Sequence, residues 1–583
     1  MSSQEDHVRE DAHQHTLSVI LSPEERVELF SLTTVIMATI RARILESFDD
    51  NDMNKKTSTE ISNYCTEYFD NWQDGVIEIV GAAINYRSDV ALEVERSPSD
   101  RVTQVSKDVQ PVAYHDTAAD EVLLTEYPPI PTLLCALPNN KRLLLLEGML
   151  LQLLFLNKYT AHSRIFLLYL TSSLQFPLSV LVDDEIRVAQ YLIKTAKLMS
   201  GSNEIEKRSE SNKISRRWKI GLAGVAGATV MGVTGGLAAP LVAGAIGSLM
   251  GGIGLGTTAA AGLLGALAES GIIAGSLFGA YGARMTSNAV KSYAKEVNDF
   301  AFLPLKNPTN QNIMQGDHRL RVTIAISGWL VTEEDIINPW LNLGHQSETF
   351  ALRWEVEALA SLGTAMQSLV KSTAWNLAKK EIISQTVFSS LAQALWPMAL
   401  LKIAKVLDNP FSVCMNRADK AGVILADAII NRVQGERPLT LLGYSFGARL
   451  IYSCLKTLSE RREFGLIENV VMLGSPVPSD ITAWKAMRSV VAGRLVNVYS
   501  THDYILSFLY RTSKIQYGIA GIQPITSVNR IENLEVSDIV NGHLKYRDVV
   551  GTILQKLKWE GIDHDKIVNQ DDCSVLYSDV KPE

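Results

Sequence analysis

The chain is short of cysteine: Cys65, Cys135, Cys414, Cys454 and Cys573 are the five it has. None stands at C-x-x-C spacing, so neither a disulfide framework nor a zinc site is indicated, and reduced thiols in a cytosol-facing protein are expected. Positive charge is not in excess either. Lys and Arg number 55 against 63 Asp and Glu, a formal net charge of −8. That balance is a poor match for a polyanion and argues against nucleic acid as a partner. Met1 to His15 carry acids and histidines but no apolar run, so no secretory signal is expected. Apolar residues, by contrast, are plentiful. At 46% hydrophobic over 583 residues, the chain can bury enough surface to fold, and it should divide into about two to four units.

Residues 1–20 read as a disordered tail. Ser22-Pro23-Glu24-Glu25 is a capping box with proline at the first helical position, and it predicts a helix running to about Ser47. A second amphipathic helix is expected over about Ser58–Ile84. Residues 86–128 lose periodicity, gain Asp, Ser, Pro and Thr, and read as a linker or long loop. Leu143–Leu156 is nearly all large and apolar but too short to cross a bilayer, which needs about 20 residues. A buried core helix fits it better. With Ser163–Leu174 and Asp184–Met199, residues 21–205 read as an all-helical domain.

The composition then changes sharply. Residues 207–219 hold six bases and one acid, and the 49 positions from Ile220 to Ala268 carry no charge at all. Residues 220–283 contain 18 of the 38 glycines. Small residues every three or four positions let helices pack closely in lipid. Large apolar residues are sparse here, however, so a helical hairpin packed against the rest of the protein is the alternative. The length of the uncharged run and its basic flank favour a membrane segment spanning 206–284, with the flank on the cytosolic side.

Beyond Arg284 short apolar runs alternate with helical patterns. Strands are expected at Leu320–Ile326, Phe350–Trp354, Leu439–Leu442, Asn469–Leu473, Leu495–Tyr499 and Leu534–Val540. Helices are expected around 365–395, 415–433, 446–461, 482–491 and 544–556. This predicts an α/β domain over 285–562 with a mainly parallel sheet covered on both faces, followed by a loose tail at 563–583.

Within that domain Gly443-Tyr444-Ser445-Phe446-Gly447 is a Gly-x-Ser-x-Gly motif placed directly between an apolar strand and a helix. The bare pattern is weak, arising by composition in about one chain in five of this length. The strand–turn–helix setting is what a nucleophile elbow requires. A serine hydroxyl needs a histidine base, itself oriented by a carboxylate, and on such a fold they follow in the order Ser, acid, His. Asp503 and His543 each stand just past an expected strand, 58 and 40 residues further along. His502 precedes the acid and is in the wrong order for the base. Asp480 is the alternative acid, and Asp538 falls inside the last expected strand. For the oxyanion, donors are expected from Phe446 and from the Gly328-Trp329-Leu330 turn. No metal or organic cofactor is required.

The segments Ser327-Gly-Trp-Leu330, Leu352-Arg-Trp-Glu355, Gly443 to Arg449, Gly474-Ser-Pro-Val477 and Asn541-Gly-His-Leu-Lys-Tyr546 resemble the transmembrane and coiled-coil domain-containing protein "four" family, a eukaryotic domain-of-unknown-function family. The likeness covers about residues 140–560. It implies an α/β-hydrolase-like domain similar to lipases in a membrane-associated protein, and a fungal relative in that family resembles a lipase linked to clathrin-adaptor traffic. Together the readings point to a membrane-associated serine hydrolase with a lipid or acyl-ester substrate, facing the cytosol. Two alternatives stand beside it: a catalytically silent scaffold working with trafficking proteins, and a soluble peptidase or thioesterase.

Overall fold

The computed structural model describes residues 21–48, 55–84, 118–155, 159–207, 277, 297, 299–305, 318–344, 346–372, 375, 398–512, 518–526, 528–563 and 566–567. The expected N-terminal tail, most of the 86–128 loop, nearly all of 206–284 and most of the C-terminal tail lie outside the described residues. Among the described residues no helix is long and apolar enough to cross a membrane.

The helical region begins as the sequence predicts. The Ser22 hydroxyl accepts from the Glu25 amide and the Glu25 carboxylate accepts from the Ser22 amide, and the helix α1 (Pro23–Glu46) follows. Then come α2 (Lys55–Ala83), α3 (Ala118–Glu126), α4 (Asn139–Phe155), α5 (Ala161–Ser173) and α6 (Leu178–Lys207). α3 lies inside the stretch expected to be a loop. It is short, and its Asp120 is buried where it accepts from the Leu178 amide at 2.8 Å, a tertiary contact that periodicity does not reveal. α5 is buried at every residue, its polar side chains included, and Arg164 among them is paired with carboxylates as a buried charge must be. Leu29, Ile36, Phe69, Met149, Phe166 and Leu170 are fully buried around it in one core.

The second core surrounds a seven-stranded sheet: β1 (Ala301–Pro304), β2 (Val322–Ile326), β3 (Glu348–Arg353), β4 (Leu439–Tyr444), β5 (Ile467–Leu473), β6 (Leu495–Tyr499) and β7 (Glu532–Glu535). Their order is β1-β3-β2-β4-β5-β6-β7. β1 runs antiparallel to β3 and every other pairing is parallel. Every residue of β2, β4 and β5 is buried, the pattern of parallel strands covered on both faces. The region is α/β.

Two strand expectations are corrected. β1 is a four-residue edge strand that the sequence reading passed over. β7 stops at Glu535, because Ser537 and Asp538 favour a turn, in which the Val540 amide bonds the Val536 carbonyl at 2.8 Å. The covering helices are α7 (Val356–Lys371), α8 (Met398–Ile430), α9 (Phe446–Glu460), α10 (Ile481–Val490), α11 (Tyr504–Thr512) and α12 (Val550–Lys556). The remainder of the helix expected at 365–395 lies outside the described residues, apart from Trp375.

A buried ion cluster ties the helices to the N-terminal edge of the sheet. Arg164 of α5 is fully buried and reaches Glu185 at 2.8 Å, Glu468 at 2.7 Å and Glu560 at 3.3 Å. Arg321, just before β2, grips Glu468 through both Nε and Nη2 at 3.0 Å and also meets Glu560. Burial pushes the Glu560 carboxyl up, but Arg164 and Arg321 outweigh it and hold it at about 2. Glu185 goes the other way: burial raises it beyond what Arg164 and Arg321 offset.

Candidate active site

Ser445 closes β4 and opens α9, and it sits at φ 54°, ψ −123°. A non-glycine residue is held there only when its surroundings impose it. The constraint is visible on both sides. The Ser445 amide donates to the Leu473 carbonyl at 2.9 Å, and its own carbonyl accepts from Arg449 at 3.1 Å. A Cβ on Gly447 would stand 2.0 Å from the Ile326 carbonyl oxygen, and one on Gly443 would stand 2.8 Å from the backbone of Gly447. The two glycines are therefore needed for close approach of strand and helix.

The three residues expected to converge do so. Ser445 Oγ lies 2.6 Å from His543 Nε2, and His543 Nδ1 lies 2.6 Å from Asp503 Oδ2. A carboxylate only accepts, so Nδ1 carries the proton and Nε2 is left to accept from the serine hydroxyl. Asp503 Oδ1 accepts from the Leu506 amide at 3.0 Å, which fixes the carboxylate in the first turn of α11. Ser445, Asp503 and His543 are 1%, 0% and 4% exposed. All three stand beyond the C-terminal ends of β4, β6 and β7.

The rivals fall away. His502 is exposed and bonds the Ser537 carbonyl. Asp480 caps α10 by accepting from the Ala483 amide at 2.9 Å. Asp538 is outside β7, paired with Lys556 at 2.8 Å on the surface. The cysteines offer no competing nucleophile among the described residues: burial raises the Cys65 and Cys414 thiols to about 12, far from the thiolate a reaction needs.

The expected oxyanion turn lies against the elbow. A Cβ on Gly328 would be 2.0 Å from the Tyr444 carbonyl and 2.4 Å from the Phe446 nitrogen, so glycine is what admits this approach. Leu330 is corrected as a donor, since its amide is committed to the Leu359 carbonyl at 3.2 Å. The Trp329 and Phe446 amides form no such bond among the described residues.

A supporting layer escaped the sequence reading. Trp340 and Trp354 both donate to Ser327, to its hydroxyl and its carbonyl, each at 3.1 Å. The Asp335 carboxylate accepts from the Val331 and Thr332 amides and from Arg547. The Arg547 guanidinium stands 4.8 Å from the centre of the Trp329 ring. Arg547 thereby joins the 3₁₀ helix that begins at His543 to the turn holding Trp329. Tyr546 of that same helix packs against Gly474, where a Cβ would be 2.4 Å from the ring. The Thr332-Glu-Glu-Asp335 capping pattern was the one available signal for Asp335.

A family model described as "Protein of unknown function (DUF726)" matches residues 212–560. The chain belongs to this family. It is 37% identical over 418 residues to "Uncharacterized membrane protein C6F6.13c" of Schizosaccharomyces pombe, covering 70% of this chain and 71% of that one. It is 36% identical over 418 residues to "Transmembrane and coiled-coil domain-containing protein STS1" of Oryza sativa subsp. japonica, covering 69% and 62%. Against "Probable lipase MIL1" of Saccharomyces cerevisiae it is 36% identical over 282 residues, 48% of this chain and 25% of that one. The resemblance read from the sequence motifs thus holds. No solved structure matches the chain.

Proposed function

We propose that this DUF726 protein is a membrane-associated serine hydrolase of α/β-hydrolase type, acting on lipid or other acyl esters. The observation that carries the reading is the continuous relay from Ser445 through His543 to Asp503, with both links at 2.6 Å, on a serine in a strained strand-to-helix turn. A mainly parallel sheet with nucleophile, acid and base in this chain order fits that fold. Ser445 Oγ attacks the ester carbonyl while His543 Nε2 takes its proton; Asp503 holds the imidazole and stabilises the imidazolium. The Phe446 and Trp329 amides receive the oxyanion. His543 then protonates the leaving alcohol, and water, activated by the same imidazole, releases the acid and restores Ser445. No step requires a metal or organic cofactor. The Phe446 ring meets Phe411 edge-on at 4.9 Å, an apolar flank suited to an acyl chain.

Relatives named as membrane proteins and one named as a lipase support the setting and the substrate class. The proposed division is a helical domain over 21–205, a membrane-associating segment over 206–284 and the hydrolase domain over 285–562, facing the cytosol. Pure full-length protein should hydrolyse acyl esters presented in lipid vesicles, and Ser445→Ala should not. Equal rates for the two proteins would end the proposal. Alkaline carbonate extraction tests the membrane segment, which should stay in the pellet. The burial of Ser445 to 1% exposure favours a second reading, a catalytically silent scaffold in membrane traffic. Rescue of every defect of a null strain by Ser445→Ala would select it.

A further inference from the structure

Three arginines meet around Tyr127, where the helical region touches the β6–β7 side of the sheet. Arg43 of α1 donates to the Tyr169 hydroxyl at 2.7 Å and to the Glu126 carboxylate at 3.1 Å, and its guanidinium lies 5.6 Å from the centre of the Tyr127 ring. Arg530, in the turn before β7, donates through Nη1 to the Arg43 carbonyl at 2.9 Å. Arg488, in the last turn of α10, is 3% exposed and donates through Nη2 to the Val491 carbonyl. The charges of Arg530 and Arg43 both bear on Arg488, and so does the Tyr127 hydroxyl.

Two polar atoms in this cluster are left over. Among the described residues Arg488 Nη1 and Arg530 Nε are buried without a hydrogen-bond partner. Among the described residues no carboxylate pairs with either side chain. Arg164 supplies the internal contrast: it is as deeply buried but touches three carboxylates. Arg530 feels the Glu46 charge without an ion pair, and the groups bearing most on Arg488 include no carboxylate; such a buried guanidinium is costly, and unpaired buried donors call for an ion or water. Burial, aided by Arg530 and Arg43, pushes Arg488 well down; burial and Arg43 take Arg530 down to about 10. Guanidinium groups whose charges bear on one another are matched by the oxygens of a tetrahedral oxyanion, which each fork can bind in a bidentate, charge-assisted way. Arg530 is only half-buried and the neighbouring Asn529 is exposed, so the cluster reaches toward the surface at the turn before β7.

We propose that Arg488 and Arg530, with Arg43 beside them, bind a phosphate group, either as the free ion or as the terminal phosphate of a monoester. Arg488 and Arg530 precede β6 and β7, at the opposite ends of the strands from Ser445, and the site does not depend on the hydrolase reading. A carboxylate from the chain outside the described residues would meet the same need and is the competing occupant.

Thermal melting of full-length protein from phosphate-free buffer tests this. Inorganic phosphate and glycerol 3-phosphate should raise the melting temperature, and chloride at matched ionic strength should not. In Arg488→Met and in Arg530→Gln the apparent affinity should fall about tenfold or more, while labelling of Ser445 by a fluorophosphonate stays as in the unaltered protein. Should Arg488→Met fail to fold, the half-buried Arg530→Gln carries the test. Vesicles containing phosphatidic acid form the second arm. Stabilisation by them alone assigns a lipid headgroup, and stabilisation by inorganic phosphate assigns the free ion. No phosphate-specific shift in the unaltered protein would overturn the proposal.

Discussion

The two edges of the sheet each bury a polar network, and they are built on opposite terms. At the C-terminal edge, Ser445, His543 and Asp503 form a single file of hydrogen bonds on a strained backbone. At the N-terminal edge, Arg164, Arg321, Glu185, Glu468 and Glu560 close on one another many times over. A single file can pass a proton along its length. A cluster closed on itself this many times holds position, even with one Glu185 oxygen unpartnered among the described residues. On one side of the sheet the fold carries a cross-braced ion cluster, and on the other a single file of hydrogen bonds with a strained serine.

Breaking the file should change activity and leave the fold intact. Ser445→Ala and His543→Ala should each lower kcat on an acyl ester by about 10⁴-fold or more, with the melting temperature little changed; steady-state kinetics beside calorimetry checks both halves. Breaking the cluster should do the reverse. Arg164→Met leaves Glu185 and Glu468 short of counter-charge and should cost about 3–5 kcal/mol in denaturant unfolding, while the remaining folded protein keeps its rate.

A smaller effect comes from His162, buried against Phe69 and Trp72, with Nδ1 lacking a hydrogen-bond partner among the described residues. Burial, with Arg488 nearby, lowers it from 6.5 to about 4. The folded state then binds fewer protons than the unfolded one between these values. Its contribution to stability is complete above pH 6.5 and falls as pH drops toward 4, at up to about 1.4 kcal/mol per pH unit. His162→Phe should remove that slope from the difference between the two proteins' pH–stability curves. The smallest effect sharpens the claim of strain. Ser445→Gly relieves the positive φ and should raise stability by about 1 kcal/mol while abolishing activity, measurable as a shifted denaturant midpoint.

Legibility in the sequence followed the locality of the signal. α1, β6 and the elbow announce themselves through a capping box, an apolar run broken only by Asn497, and two glycines flanking a serine. Asp503 and His543 were reachable because order along the chain and position after a strand are both local. The resemblance segments acquire a physical reason only in three dimensions. Trp354 donates to Ser327, Gly328 admits the elbow, and Gly474 makes room for Tyr546. β1 was missed because four residues at an antiparallel edge carry little periodicity. Arg547, Asp335 and the Arg164 cluster were missed because their partners lie hundreds of positions apart, and nothing in the local pattern pairs them. Leu330 was assigned as a donor on its place in the turn, and only the Leu359 carbonyl revealed that its amide was taken.

The relay is tested most directly by a fluorophosphonate probe on pure, folded, full-length protein, with the adduct located by mass spectrometry. The account predicts a covalent phosphonyl group on Ser445 alone among the serines, and its loss in His543→Ala, where the fold persists but the base is gone. An unlabelled Ser445, or labelling that persists without the imidazole, would contradict it.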